Sequence, residues 1–298
     1  MKKITYIDDA DIKNKRVLIR VDFDVSLDHD NAIADDIRIR SNLPTLTHLS
    51  AGHNRIICIA KLNRPEKRDP RHSLSVVVKR LQAYLPQLKI KLIDDFLTEP
   101  NETFTKQTAN EICVLENIRF YPGEKTNDPS FAKKLAALAD IYVNDAFAMS
   151  HREEASIVGL PKLLPSYGGL LLKKEIETIS QATLRPRRPL VAIIGGSKIS
   201  TKLTLITKLI ETTDFVLLGG GLANVFFQAK GYKIGGSLCE DGMIEKAKEL
   251  LFLAAEKQTA LLLPTDAFIG NPKDTTKAGQ IIHLEHKNIP EPQAILDI

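Results

Sequence analysis

Short runs of β-branched and aliphatic residues alternate with amphipathic, helix-like patterns along almost the whole chain. Strands that alternate with helices are typical of parallel βα units, because two parallel strands need a crossover connection between them. The pattern therefore predicts an α/β protein with doubly wound parallel sheets and helices on both sheet faces. The predicted strands cover residues 16–23, 55–60, 90–93, 111–115, 140–143, 189–194, 214–218 and 259–263.

Two of the intervening helices have clear sequence signals. Residues 73–85 carry Leu and Val at i, i+3 and i+4 spacing, and Ser73 is the expected N-cap. Residues 128–139 carry apolar residues on one face and begin with Asp128 and Pro129, a pair typical of a helix start. Both segments are therefore predicted as amphipathic helices.

A domain boundary is predicted near the middle of the chain. Residues 161–169 are rich in Pro and Gly, residues 170–184 have the pattern of one helix, and residues 185–189 contain two prolines. We therefore expect a first domain over residues 1–169, a connecting helix over residues 170–184 and a second domain over residues 185–298.

The composition excludes several classes of protein. The chain has 298 residues, enough for about two domains, with 43% hydrophobic and 26% charged residues, as in ordinary globular proteins. Its 41 Lys and Arg against 37 Asp and Glu give a net charge of +4, too small to indicate a nucleic-acid or membrane partner. No apolar run is long enough to span a bilayer, and acidic residues follow the N-terminal lysines, so we expect no secretion signal.

The three cysteines indicate a reducing environment. Cys58, Cys113 and Cys239 are far apart in the sequence, odd in number and without Cys-x-x-Cys spacing. This pattern fits neither a disulfide framework nor a zinc site. We therefore expect a cytoplasmic protein without a metal site of its own.

Charged and polar residues follow the predicted strands of the first half. Because the carboxyl ends of parallel strands lie along one sheet edge, we expect these side chains to lie close together. Arginines that arrive there from several strands, with Arg38 at the start of a helix, suit bidentate binding of phosphate or carboxylate groups. For each arginine alone, an ion pair with a nearby carboxylate is the alternative. The residues are Asp22, Asp24, Lys61, Arg64, Asn117, Arg119, Asn144, Asp145, His151 and Arg152.

Glycines follow two predicted strands of the second half. Gly195 and Gly196 come after one strand, and the run 219–221 comes after the next. Glycines there allow backbone N–H groups to approach a ligand, and the N-terminus of a following helix favours an anion. Neither run completes a known nucleotide fingerprint, and simple helix-to-sheet packing is the alternative. Lys198 and Lys202, expected on the following helix, favour phosphate binding.

Seven segments together resemble phosphoglycerate kinases, in the order and spacing of that family. The resemblance implies two doubly wound domains joined by a helix, the second domain being incomplete. It implies reversible phosphoryl transfer between ATP and 3-phosphoglycerate by a cytoplasmic monomer, with magnesium carried by the nucleotide. The segments are VDFDVSLD (21–28), DDIRIRSNLP (35–44), KLNRP (61–65), LENIRFYPGEKTND (115–128), YVNDAFAMSHREEASIVG (142–159), GGSKISTKL (195–203) and GGGLANVF (219–226).

The same resemblance implies roles for individual residues. Arg38 and Lys202 are implied as catalytic, Arg38 at the phosphoryl group in transfer and Lys202 at the nucleotide phosphates. The residues implied to bind 3-phosphoglycerate are Asp22, Phe23, Asp24, Arg38, Lys61, Leu62, Asn63, Arg64, Arg119 and Arg152. Those implied to bind the nucleotide are Gly195, Gly196, Lys198, Lys202, Gly219 and Gly220.

The chain departs from the family pattern at three neighbouring site positions. Asp24 replaces the usual Asn, while Lys61 and Asn63 replace the His and Gly of a His-Leu-Gly-Arg-Pro motif. The added carboxylate and the added ammonium cancel in formal charge. We therefore hypothesise that Asp24 and Lys61 are paired, with independent drift as the alternative.

The chain ends at Ile298, within a segment that resembles the ILDIGP region of the family. The family's remaining strands carry a nucleotide ribose contact and a glycine-rich helix start, so we expect a fragment with little or no kinase activity by itself. The alternative function is a non-catalytic module that binds anions or nucleotides. An NAD-dependent dehydrogenase is disfavoured, because a complete dinucleotide fingerprint is missing.

Overall fold

The computed structural model describes residues 4–184, 186–274, 278–284 and 288–298. The chain divides into two compact units, Met1–Ile179 and Ser180–Ile298. The division falls within the helix Leu170–Leu184, whose ends are those predicted for the connecting helix. Arg185, the first residue of the predicted second domain, lies outside the described residues.

The first unit is built on a six-stranded parallel sheet with the order β5-β6-β4-β1-β7-β8. Strands β2 and β3 form a separate antiparallel pair. The strands are β1 (Arg16–Arg20), β2 (Ser26–Leu27), β3 (Ile33–Asp35), β4 (Arg55–Ile59), β5 (Lys89–Ile93), β6 (Glu111–Leu115), β7 (Ile141–Asn144) and β8 (Ser166–Gly168). The helices are α1 (Ile37–Ala51), α2 (Ser75–Tyr84), α3 (Asn101–Thr105), α4 (Pro122–Lys125), α5 (Pro129–Ala136) and α6 (Leu170–Leu184).

The core of this unit lies on both faces of the sheet. Val17 and Ile19 belong to one hydrophobic cluster, whereas Leu18, between them, belongs to another. Ile57 likewise lies in the second cluster, and its neighbour Cys58 in the first. Successive side chains of a strand point to opposite faces, so a strand that is apolar at every position is covered on both sides. This arrangement confirms the predicted doubly wound sheet.

The second unit contains two small sheets. Its parallel sheet has the order β11-β10-β9, and its antiparallel sheet has the order β13-β12-β14. The strands are β9 (Val191–Gly195), β10 (Phe215–Gly219), β11 (Ala260–Leu262), β12 (Asp266–Gly270), β13 (Gln280–His283) and β14 (Ala294–Asp297). The helices are α7 (Leu203–Thr212), α8 (Gly221–Ala229) and α9 (Ile244–Glu256).

The predicted α/β class is confirmed, and each predicted strand overlaps an observed one. The interpretation of residues 161–169 only as a boundary is wrong in part, because Ser166–Gly168 forms the edge strand β8 of the first sheet. The antiparallel sheet β12–β14 was not predicted. Its strands are short and carry few β-branched residues, so the local pattern is weak and the pairing between distant segments decides their structure.

The helix starts differ in how they are capped. At α5 the prediction is confirmed, since the Asp128 carboxylate accepts hydrogen bonds from the N–H groups of Ser130 and Phe131. The predicted N-cap Ser73 of α2 is wrong by one residue, because the helix begins at Ser75 and its N-cap is Leu74. Ser73 Oγ accepts a hydrogen bond from the Ser75 N–H and donates one to Glu116. None of the helices in the described ranges combines the length and the apolar character that a membrane span requires.

Candidate functional site

Four adjacent strands of the first unit end at the same sheet edge and bring the predicted substrate residues together. In the order β6-β4-β1-β7, each strand is followed by a loop that carries charged side chains. We call this region the strand-end surface. It comprises Asp22, Asp24, Arg38, Lys61, Asn63, Arg64, Arg119, Arg152 and Glu154.

Arg38 and Asp22 form an ion pair beside a cavity. The Arg38 guanidinium contacts the Asp22 carboxylate, and the Arg38 side chain is 44% exposed. The Nδ2 group of Asn42, one turn further along α1, donates to the Arg38 carbonyl at 2.8 Å and to the Asp22 carbonyl at 3.3 Å. These contacts fix the end of β1 against α1. Asp22, Arg38 and Asn42 line a cavity of about 300 Å³ with Ser41, Ala148, Leu171 and Glu175.

Asp24 and Lys61 are in contact, so the hypothesis of a pair is confirmed as a structural relationship. The second Asp24 oxygen accepts a hydrogen bond from the Asn63 N–H at 2.7 Å. Asn63 has a φ of 58°, in the left-handed region that Asn tolerates better than most residues other than Gly. Lys61 is buried, and burial lowers the pKa of its ammonium while Asp24 opposes that shift.

Arg119 lies deep in the strand-end surface and pairs with Glu154, and both side chains are less than a tenth exposed. Its backbone N–H donates to Asn117 Oδ1 at 3.1 Å. Asn117 is fully buried and donates in turn to the carbonyl oxygens of Leu62 and His72. The end of β6 is thus joined to the loop after β4.

Arg152 and Arg64 complete the set of arginines. Arg152 is half-buried, and its Nε atom has no hydrogen-bond partner within the described residues. Arg64 is exposed, and no ion pair joins it to the described part of the chain. Arg38, Lys61 and Arg119 are therefore held by carboxylates, whereas Arg64 and Arg152 contribute net positive charge.

Two predicted substrate residues cannot act through their side chains. Phe23 and Leu62 are fully buried in the hydrophobic core of the first unit. Their role in substrate binding stays a prediction, and burial leaves only their backbone groups for it. Sequence reasoning also missed Asn42 and Glu154. Their only signals are a polar residue on the apolar face of α1 and an acidic residue two positions after Arg152.

In the second unit, the two glycine turns lie against each other. Gly195 and Gly219 are paired residues at the ends of β9 and β10. Gly220 has a φ of 65°, and a Cβ atom there would lie 3.2 Å from backbone atoms of Gly196. The close approach of the two turns thus explains why glycine occupies positions 196 and 220, as the alternative of simple packing predicts. A Cβ atom at Gly219 would meet no atom within 4 Å, so that position faces open space.

Lys202 and Lys198 have different surroundings from those predicted. The predicted helix over both lysines is wrong, because a 3₁₀ turn covers Ser200–Lys202 and α7 begins only at Leu203. Lys198 lies in the preceding loop. Lys202 reaches back over the first glycine turn, since a Cβ atom at Gly196 would lie 2.7 Å from its Cε. The Ser200 N–H donates to Glu240 at 3.0 Å.

The family model for phosphoglycerate kinase matches residues 7–298. The chain belongs to the phosphoglycerate kinase family. It is 42% identical to the phosphoglycerate kinase of Thermosynechococcus vestitus over 299 residues, which cover 100% of this chain and 74% of that protein. It is 41% identical to the cytosolic phosphoglycerate kinase 3 of Arabidopsis thaliana over 271 residues, 91% of this chain and 68% of the relative.

Solved structures of the family have the same fold. The phosphoglycerate kinase of Coxiella burnetii matches with a TM-score of 0.82 at 33% identity, over 99% of this chain and 74% of the other. The phosphoglycerate kinase of Pyrococcus horikoshii matches with a TM-score of 0.79 at 27% identity, over 99% of this chain and 75% of the other. The predicted family, enzyme class and reaction, phosphoryl transfer between ATP and 3-phosphoglycerate, are confirmed. The expected low activity of this chain by itself stays a prediction.

Proposed function

We propose that the strand-end surface of the first unit binds 3-phosphoglycerate. The observation that carries this proposal is the arrival of four cationic side chains after the ends of adjacent parallel strands, joined by Arg38 from the start of α1, with carboxylates orienting three of the five. Charge-assisted hydrogen bonds from guanidinium groups are among the strongest available to a phosphate. The cations are Arg38, Lys61, Arg64, Arg119 and Arg152.

The roles within this surface follow from burial and pairing. Arg119 is buried and held, and Arg152 has a free Nε, so these two residues suit the non-transferred phosphate, together with the exposed Arg64. Asp22, Asp24 and the backbone of residues 61–63 suit the glycerate end. Arg38 is half exposed beside the cavity, where its guanidinium stabilises charge on the phosphoryl group in transfer.

The second unit is proposed to bind Mg-ATP or Mg-ADP at its two glycine turns. Lys202 lies over Gly196, and the open space above Gly219 leaves room for a ligand next to the N-terminus of α8. In the described part of the chain, no group of three or more His, Cys, Asp or Glu side chains is placed to hold a metal ion. The magnesium ion is proposed to arrive with the nucleotide, as part of the substrate.

The reaction requires no nucleophile from the protein. The carboxylate of 3-phosphoglycerate attacks the γ-phosphorus of ATP directly, the bond from that phosphorus to the bridging oxygen breaks, and ADP leaves as 1,3-bisphosphoglycerate forms. The protein therefore supplies position and charge stabilisation. Arginine and lysine side chains with backbone N–H groups are the groups that such a reaction uses. This agrees with the residue types at both proposed sites.

We also propose that the chain acts in the cytoplasm as a monomer. The three cysteines are free, and Cys58 and Cys113 are buried in the first unit. Burial raises the pKa of both thiols, that of Cys113 to about 11, so they remain protonated. Such cysteines suit a reducing compartment.

Calorimetric titration with 3-phosphoglycerate tests the substrate site. Arg119→Ala removes a charge-assisted contact and is expected to lower affinity roughly ten- to a hundredfold. Arg55→Ala is the matched control, because Arg55 begins β4 at the opposite end of the strand. Unchanged affinity in Arg119→Ala would contradict the assignment.

Titration with ADP tests the nucleotide site in the same way. Lys202→Met is expected to weaken ADP binding, because the ammonium group over the first glycine turn is lost. Lys208→Met is the control, since Lys208 lies on the exposed face of α7 and pairs with Glu211. Equal ADP affinities of the two variants would contradict the proposed role of Lys202 in nucleotide binding.

A further inference from the structure

Glu154 occupies an unusual place for an acidic residue, in the interior of a surface that would bind an anion. One of its oxygens, Oε1, contacts Arg119 Nη2. Its side chain is 7% exposed and that of Arg119 is 4% exposed. A carboxylate close to a bound phosphate weakens binding through like-charge repulsion. Its presence therefore requires a compensating contribution from the contact with Arg119.

The backbone that carries Glu154 is held by a network of buried side chains around Ser156. The Glu124 carboxylate accepts hydrogen bonds from both the N–H and the Oγ of Ser156. Arg20 Nε donates to Ser156 Oγ at 3.0 Å, and the Tyr142 hydroxyl donates to the Ser156 carbonyl at 2.6 Å. Ser156 lies in the π-helical segment Ala155–Gly159, directly after Glu154. The network therefore holds the backbone next to Glu154 in one position, and the Glu154 side chain extends from that fixed point.

In and beside the ion pair, three polar atoms have no hydrogen-bond partner among the described residues. These are Arg119 Nε, Arg152 Nε and Glu154 Oε2, all buried. An unsatisfied buried polar group costs roughly 1–3 kcal/mol, so such atoms mark positions where a ligand or water is expected. Both Nε atoms are donors that suit a phosphate group. Glu154 Oε2 is an acceptor and suits a water or a hydroxyl group.

We propose that Glu154 is a positioning residue for Arg119. Through Oε1 it holds one end of the guanidinium and leaves Nε available for the phosphate of 3-phosphoglycerate, an inference that rests on the function proposed above. The orientation comes from the hydrogen-bonded oxygen, and the negative charge acts against substrate binding. The effect of the Glu154 oxygen on the orientation of Arg119 can therefore be separated from the effect of the Glu154 charge by substitution.

Two conservative substitutions separate the contributions. Glu154→Asp keeps the charge but withdraws the oxygen from Arg119 by one methylene, and it is expected to lower 3-phosphoglycerate affinity about tenfold. Glu154→Gln keeps the reach and the accepting oxygen but removes the charge, and its affinity is expected to equal or exceed that of the unsubstituted chain. Glu153→Gln and Glu153→Asp are the matched controls, because Glu153 is exposed.

Calorimetric titration of the full chain with 3-phosphoglycerate at two salt concentrations measures both effects, and thermal unfolding verifies that each variant is folded. Any gain in Glu154→Gln is expected to shrink at the higher salt concentration, because salt screens the removed charge. The proposal is overturned if Glu154→Asp binds like the unsubstituted chain, or if Glu154→Gln binds as weakly as Glu154→Asp. Arg119→Ala distinguishes failure of the positioning role of Glu154 from failure of the substrate site. Normal 3-phosphoglycerate binding by that variant contradicts the substrate site itself.

Discussion

The carboxylate of Asp24 pairs with the buried ammonium group of Lys61. The same carboxylate accepts a hydrogen bond from the Asn63 N–H, so the three positions at which the sequence departs from the family pattern lie in one cluster. Asp24 contacts each of the other two. The carboxylate neutralises the buried ammonium group, and Asn63 adopts the left-handed conformation that the turn requires.

The Asp24–Lys61 pair is expected to show strong coupling in a double-mutant cycle. Asp24→Asn leaves Lys61 buried without its counter-charge and should cost about 1–3 kcal/mol in free energy of unfolding. With Lys61→His also present, most of that cost should disappear, which gives a coupling energy above about 0.5 kcal/mol. Urea denaturation of the four proteins measures it. The exposed pair of Asp11 and Lys13 is the control, and additive effects at Asp24 and Lys61 would show that the contact is energetically unimportant.

Glu124 is expected to make stability depend on pH. Burial raises the pKa of its carboxyl group, although Arg20 opposes the shift. A group whose pKa is raised on folding contributes stability below its unfolded pKa, and this contribution is lost as the pH rises through the folded value. Relative to Glu124→Gln, the free energy of unfolding should therefore fall as the pH increases from about 4 to about 8. Urea denaturation across this range measures the difference, and a difference that stays constant or rises would be contrary to expectation.

Asp145 is expected to stabilise the start of α6. It is fully buried after β7, and its Oδ1 accepts hydrogen bonds from the N–H groups of Leu171 and Leu172. Asp145→Ala should cost about 1–2 kcal/mol in free energy of unfolding, as at other helix caps. Asp145→Asn retains an accepting oxygen, and because burial raises the pKa of Asp145, loss of the charge should cost little. Equal destabilisation by the two variants would show that the charge, and not the accepting oxygen, is required.

Gly196→Ala is expected to weaken ADP binding by displacing Lys202. Gly196 has a φ of 149°, and the added Cβ atom would lie 2.7 Å from Lys202 Cε. Gly231→Ala is the matched control, because Gly231 also has a positive φ but a Cβ atom there would meet no neighbour within 4 Å. Both variants should lose stability through backbone strain. Calorimetric titration should show reduced ADP affinity only for Gly196→Ala, and equal affinities would contradict the proposed place of Lys202.

The periodic pattern of apolar residues predicts most of the fold. Strand β6 and helix α6 begin and end where the sequence indicates, because each has a long apolar pattern with a clear interruption on both sides. The local pattern was insufficient for β8, which lies in a stretch rich in Pro and Gly. Its strand character depends on pairing with β7, and the sequence of the stretch itself carries no signal of that partner.

For the candidate site too, the sequence predicted one part and the tertiary structure decided the other. The residue types that follow each strand, and their match to family motifs, were sufficient to name Arg38, Lys61, Arg119 and Arg152. Which carboxylate holds each cation was decided by the tertiary structure, since Arg119 and Glu154 are 35 positions apart and meet only when the loops after β6 and β7 pack together. The tertiary structure likewise decided that the Phe23 side chain is buried. Sequence spacing records the order of side chains, whereas a contact depends on where the backbone of a distant segment places its partner.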